Sequence, residues 1–142
     1  MTDTFTTHSE IETAAVGHHL AETLKAEDVV LLYGDLGAGK TAFVHGLAEG
    51  LGADENAVSS PTFTLVHEYR GGRLTLFHVD LYRLNDPREI DDLGLDEIAL
   101  GGVLAIEWAE KWPGRPADAV TVQITHASGD ERNLAINYPI TR

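Results

Sequence analysis

Cysteine is absent from the chain, which removes disulfides and thiolate metal sites from consideration and suits a reducing compartment. Stability therefore has to come from a buried core. Basic residues are scarce as well: ten Lys and Arg stand against 23 Asp and Glu, a formal charge of −13 with the seven histidines neutral. The ten are scattered, with no run and no basic stripe, and a surface of this sign repels phosphate backbones, so independent RNA or DNA binding is not expected. The same acidity serves solubility and equally suits a basic protein partner. No apolar run approaches the roughly 20 residues that cross a bilayer, and Met1 to Glu10 is polar, without the basic-then-apolar pattern of a secretory leader. A soluble, cytoplasmic protein without membrane association is the expectation.

What is present suffices for one domain. The 142 residues are 43% hydrophobic and show no internal repeat, linker or low-complexity segment, so residues 1–142 read as a single unit that buries roughly two thirds of its unfolded surface. Ser9-Glu10-Ile11-Glu12 has the form of a capping box and starts a helix whose buried stripe is Val16, Leu20 and Leu24, with Thr4 to Thr7 as a short edge strand before it. Val29 to Tyr33 is a continuous apolar run that stops at Gly34, as in a strand buried on both faces. Phe43, Val44, Leu47 and Leu51 line a second helix ending at Gly52, and Ser59 to Thr62 reads as loop. Phe63 to Tyr69 and Leu74 to Asp80 form a hairpin about Gly71-Gly72; Asp86-Pro87-Arg88-Glu89 opens a short acidic helix that Gly94 ends, and another short turn of helix covers Leu95 to Leu100. Val103 to Glu107 is a further apolar strand, followed by a hairpin of Val120 to Thr125 and Asn133 to Tyr138. The expected fold is α/β, a mixed sheet of about six or seven strands flanked by helices.

Between the first apolar strand and the second helix lies Gly34-Asp35-Leu36-Gly37-Ala38-Gly39-Lys40-Thr41, which matches G-x-x-x-x-G-K-[ST]. Glycines let the backbone curl so that successive N–H groups point inward around a β-phosphate, and the helix start adds its positive end. Lys40 offers a point charge to the β- and γ-phosphates, and the Thr41 hydroxyl is placed to ligate Mg²⁺. A P-loop of this kind also needs an acid for the metal, and Asp80 and Glu107 both end apolar strands; spacing alone does not choose between them. Leu76, His78 and Asp80 share one strand face, with His78 read as a satisfied structural histidine. Thr62 follows the P-loop helix in a loop where switch segments of nucleotide hydrolases sense the γ-phosphate, with a plain turn residue the ordinary alternative. Trp108 and Trp112 can stack on a base or belong to the core, and Arg83 and Arg132 are candidates for a nucleotide contact, with surface ion pairing the ordinary alternative. No Asn-Lys-x-Asp guanine-reading motif is present, which favours ATP over GTP.

Gly-Asp-Leu-Gly-Ala-Gly-Lys-Thr, Ser-Pro-Thr-Phe-Thr-Leu-Val, His-Val-Asp-Leu-Tyr-Arg and Ile-Glu-Trp follow one another in an order and spacing that resembles the bacterial TsaE family over nearly the whole chain. The resemblance implies ATP binding and slow hydrolysis in support of TsaD and TsaB, which place a threonylcarbamoyl group on the tRNA adenosine beside the anticodon, so that tRNA is met only indirectly. It assigns Gly37, Ala38, Gly39, Lys40 and Thr41 to the phosphates, Thr41 and Glu107 to Mg²⁺, and Asp80 to the γ-phosphate or its attacking water, making Lys40, Asp80 and Glu107 the catalytic set. Asp35, Ala42, Thr62, Trp108 and Arg132 complete the implied nucleotide contacts. Ala42 departs from the pattern: many relatives carry a second hydroxyl there, so a side-chain contact to the α-phosphate is lost while the backbone N–H remains. Two rival readings are a small-molecule P-loop kinase, against which the short acidic segment from Asp86 to Glu97 argues, and a binding module that holds ATP without turnover.

Overall fold

In the computed structural model, which describes residues 1–35, 39–53, 58–59 and 66–139 (58–59 as backbone only), the chain runs through β1 (Thr2–Thr7), α1 (Glu10–Ala21), β2 (Val29–Tyr33) and α2 (Lys40–Gly50). It continues with β3 (Val58–Ser59), β4 (Val66–Tyr69), β5 (Leu76–Asp80), α3 (Pro87–Asp91), α4 (Leu95–Ile98), β6 (Val103–Glu107), a 3₁₀ turn (Ala109–Lys111), β7 (Val120–His126) and β8 (Arg132–Asn137). Gly37, Ala38 and Thr62 lie outside the described residues. All eight strands join one sheet in the order β1-β8-β7-β2-β6-β5-β4-β3. The middle four are parallel, and antiparallel hairpins extend the sheet on either side. The strand beyond the expected six or seven is β3, whose two residues pair with His67 and Glu68 where the sequence reads as loop.

Apolar runs set this arrangement. In β2, Val30 and Leu32 face the core beneath α1 and α2, while Leu31 faces a second core under α3, α4 and the 3₁₀ turn. A strand covered on both faces has no polar side to display, which is why VVLLY and VLAIE read as continuous apolar segments. The caps are those the sequence specifies, with one shift. Ser9 Oγ accepts from Glu12 N at 3.1 Å, but the Glu12 carboxylate returns to His8 N at 2.7 Å, one residue before the cap. Asp86 caps α3 by accepting from Arg88 N at 2.9 Å. These bonds, and the ordinary charge-assisted contact with the Arg88 side chain, hold the Asp86 carboxyl below the usual range. α1 ends at Ala21 and not at the expected Leu24, because the Thr23 hydroxyl takes the Leu20 carbonyl at 2.9 Å; Leu24 is nevertheless buried.

Two consequences position the site. First, β2 and β5 are each parallel to β6, so the chain leaves all three at one end of the sheet, with Leu32 and Asp80 both register partners of Glu107. Open α/β sheets bind ligands outside such carboxyl ends. Second, α1 and α2 cross with their backbones nearly touching: a Cβ on Gly46 would lie 1.9 Å from the Ala14 carbonyl oxygen. This close crossing brings the start of α1 alongside the start of α2.

Candidate functional site

Where those strand ends meet the two helix starts there is a cavity of about 330 Å³. Gly39, Lys40, Thr41, Ala42, Asp80, Glu107, Trp108 and Arg132 line it, all of them residues singled out from the sequence. Asp35 is exposed and is not among the lining residues, and neither is Arg83; Trp112 is buried in the core beneath the 3₁₀ turn. Gly39 caps α2 with φ 102°, a left-handed conformation that side chains disfavour. A Cβ there would meet Thr13 Cγ2 at 3.6 Å and the Arg132 side chain at 3.9 Å, which measures how closely α1 and β8 approach the loop.

Lys40 is only 4% exposed. A buried ammonium requires partners, and among the described residues it has two: Nζ donates to the Gly34 carbonyl at 2.7 Å and sits 4.3 Å from the centroid of the Trp108 ring. That cation–π contact is worth about 0.5–2 kcal/mol depending on solvent access. Trp108 achieves it in the left-handed region, φ 59°, an uncommon conformation for a bulky residue. Its indole also packs on Tyr82, with ring centroids 5.2 Å apart. Lys111 ties the same two segments together, donating to the Tyr82 and Leu84 carbonyls at 2.7 and 3.0 Å.

The acids differ in setting. Asp80 Oδ1 accepts from Tyr82 N at 2.9 Å, which fixes its carboxylate at the strand end. Glu107 is 5% exposed and its Oε2 shares a hydrogen bond of 2.5 Å with His78 Nε2. The same carboxylate, together with burial as the larger cause, pushes the Tyr69 hydroxyl above its ordinary value. Among the described residues no group of three or more His, Cys, Asp or Glu could hold a metal unaided. One hydroxyl, Thr41, and two carboxylates, Asp80 and Glu107, around one cavity form an oxygen-only set that suits Mg²⁺ completed by phosphates and water, and suits transition metals poorly.

The model of the family described as threonylcarbamoyl adenosine biosynthesis protein TsaE matches residues 7–134. The chain belongs to the TsaE family. A relative from Nostoc sp. strain PCC 7120, called tRNA threonylcarbamoyladenosine biosynthesis protein TsaE, is 47% identical over 141 residues, 96% of this chain and 85% of that one. One of the same name from Bacillus subtilis strain 168 is 46% identical over 125 residues, covering 87% and 77% of the two chains. The crystal structure of Bacillus subtilis YdiB superposes with a TM-score of 0.78 and 36% identity, over 100% of this chain and 88% of that one.

For a TsaE-family chain the cavity holds four residues that sequence reasoning did not assign to it: Ser9, Glu10, Thr13 and Asp130. Ser9 and Glu10 were legible only as a helix cap. Thr13 hides its hydroxyl on Thr7 at 2.7 Å, joining α1 to β1. Asp130 belongs to the turn before β8. A usable signal for the α1 residues did exist: Gly46 and Gly50 stand four residues apart on α2 and Gly17 sits on α1, small positions of the kind that allow two helices to cross closely.

Proposed function

We propose that this chain binds Mg²⁺-ATP in the cavity at the start of α2 and hydrolyses it slowly, in support of TsaD and TsaB during threonylcarbamoyl transfer to tRNA in the cytoplasm. The observation that carries the reading is the gathering of Gly39, Lys40, Thr41, Asp80 and Glu107 around one cavity in a chain of the TsaE family. No helix among the described residues is long and apolar enough to cross a membrane, which agrees with it.

In this reading the start of α2 receives the phosphates. Lys40 leaves the Gly34 carbonyl for a phosphate oxygen, an exchange of one oxygen acceptor for a charged one. Thr41 and Glu107 would hold the Mg²⁺, which when bound would neutralise phosphate charge. Asp80, its carboxylate pinned by the Tyr82 amide, orients a water toward the γ-phosphate. Arg132 and Trp108 close the cavity from the β8 and 3₁₀ sides, and Gly37, Ala38 and Thr62 are assigned to the phosphate loop and the γ-phosphate sensor.

Lys40→Ala is the direct test. Calorimetry should show ATP affinity reduced at least tenfold, and phosphate release with TsaD and TsaB present should fall to background. Undiminished affinity would remove the phosphate site from this end of the sheet. Phosphate release by the unaltered chain, with and without the two partners, separates a hydrolase from a module that only holds ATP.

A further inference from the structure

Glu107 would be a poor metal ligand if left to itself. Its carboxylate is almost fully buried, and a polar group in such a place needs a hydrogen-bond partner to hold it. It also sits beside a second acid: Asp80 is its register partner on the neighbouring strand. Something has to keep the Glu107 carboxylate correctly turned before the metal is present.

We propose that His78 is a positioning residue that orients the Glu107 carboxylate toward Mg²⁺, donating from Nε2 to Oε2 and leaving Oε1 for the cation. It rests on the reading of Glu107 as the metal's protein carboxylate. An ionised carboxylate only accepts, so Nε2 is the protonated nitrogen. The geometry supports a dedicated contact. His78 is 9% exposed, and its 2.5 Å bond is the one side-chain hydrogen bond that Glu107 makes among the described residues. The donor is two residues back along β5 from Asp80, on the same strand face, and is not itself among the residues that line the cavity. His67 is its cross-strand partner, with ring centroids 6.0 Å apart. A histidine serving only the core would be satisfied by any acceptor; this one is satisfied by a side chain that lines the cavity. Groups that hydrogen-bond a ligating carboxylate commonly change metal affinity 10–100-fold when removed.

The test titrates Mg²⁺ by calorimetry into the full chain loaded with a non-hydrolysable ATP analogue, and measures analogue affinity separately in EDTA. His78→Phe keeps a flat ring and removes the donor; His78→Leu serves as the second donorless variant should the larger ring unfold the chain. His78→Gln restores an N–H near the position of Nε2. The donorless variant should weaken Mg²⁺ binding about 10–100-fold with metal-free analogue affinity unchanged, and His78→Gln should recover most of it. A purely structural histidine would lower thermal stability in every variant and leave the Mg²⁺ constant alone, and that result overturns the proposal, as would equal Mg²⁺ losses in the Gln and donorless variants. Glu107→Ala separates the two layers of the argument. If it abolishes tight Mg²⁺ binding while the donorless variants do not, positioning alone fails; if Glu107→Ala has no effect, the metal assignment falls and positioning with it.

Discussion

Two imidazoles face each other across the β4–β5 hairpin, and the half-buried one, His67, is held below the ordinary histidine value of 6.5. Burial is the largest cause, proximity to His78 the next, and Asp80 works against both. The folded chain therefore binds a proton at His67 less readily than the unfolded chain does. The stability this contributes is present above about pH 6.5 and is lost as the pH falls through the folded value. Urea unfolding at pH 7.5 and pH 5.5 should show a drop in stability toward acid, and His67→Gln should make that drop smaller; an unchanged pH dependence in the variant would refute the assignment. Residues of this kind were only partly legible. Lys40, Asp80 and Glu107 stand at positions where strand ends and a glycine-rich loop announce chemistry, and Trp108 could be picked out by its place after Glu107. Nothing in the residue order reveals that Trp108 takes a left-handed backbone, or that the indole carries Lys40, since both depend on how the 3₁₀ turn leaves β6.

Between elements, the decisive contact is the α1–α2 crossing. Replacing a helical glycine by alanine ordinarily stabilises a helix by about 0.5–1 kcal/mol. At Gly46 the new Cβ would lie 1.9 Å from the Ala14 oxygen and 2.7 Å from its carbonyl carbon, both backbone atoms that cannot turn aside. Overpacking of this sort costs about 1–3 kcal/mol, so the sign reverses and Gly46→Ala should be destabilising. A lower urea midpoint at unchanged slope would register this. Because α1 must move away from α2 to relieve the clash, Ser9, Glu10 and Thr13 should withdraw from the cavity, and ATP affinity should fall along with stability. An alanine variant as stable as the parent would mean that the helices do not cross this closely. The same contact explains what could be read in advance. β2 and β6 were legible because burial on both faces leaves a continuous apolar run. β1 was half legible, as Thr4 to Thr7, because an edge strand of mostly exposed threonines carries little pattern; its pairing with β8 extends it back to Thr2. β3 was not legible at all, since two residues joined to His67 and Glu68 through backbone bonds leave no side-chain signature. The contribution of α1 to the cavity was hidden for a related reason: it is made by helix packing, not by any motif.

Across the whole molecule, charge decides what kind of ligand can approach unaided. The net charge is −13, and most of the ten basic residues already line the cavity or contact other groups of the chain, some of them at the surface. Lys40 and Arg132 belong to the cavity, and Arg73 donates to the Ala21 carbonyl at 2.6 Å. Lys111 bridges the segments after β5 and β6, Arg115 reaches the Trp112 carbonyl, and Arg88 and Arg70 pair with Asp86 and Glu68. Acids also line the groove at the opposite end of the sheet, where Glu27, Asp28, Asp96 and Asp118 gather. Under the proposed function a triphosphate would still enter the cavity, because a helix start and one lysine would act on it at contact distance. A tRNA backbone needs a stripe of cations that releases many counterions at once, and proteins having one bind nucleic acid non-specifically with constants of about 10⁻⁴–10⁻⁶ M. This chain should fall short of that range. Fluorescently labelled tRNA titrated with the chain alone at roughly 0.15 M salt should show no saturable binding up to about 100 μM, and lowering the salt should not bring binding into the micromolar range. A micromolar constant that falls steeply with added salt would instead mean that this surface carries a cationic track of its own, and that tRNA need not be held by TsaD and TsaB.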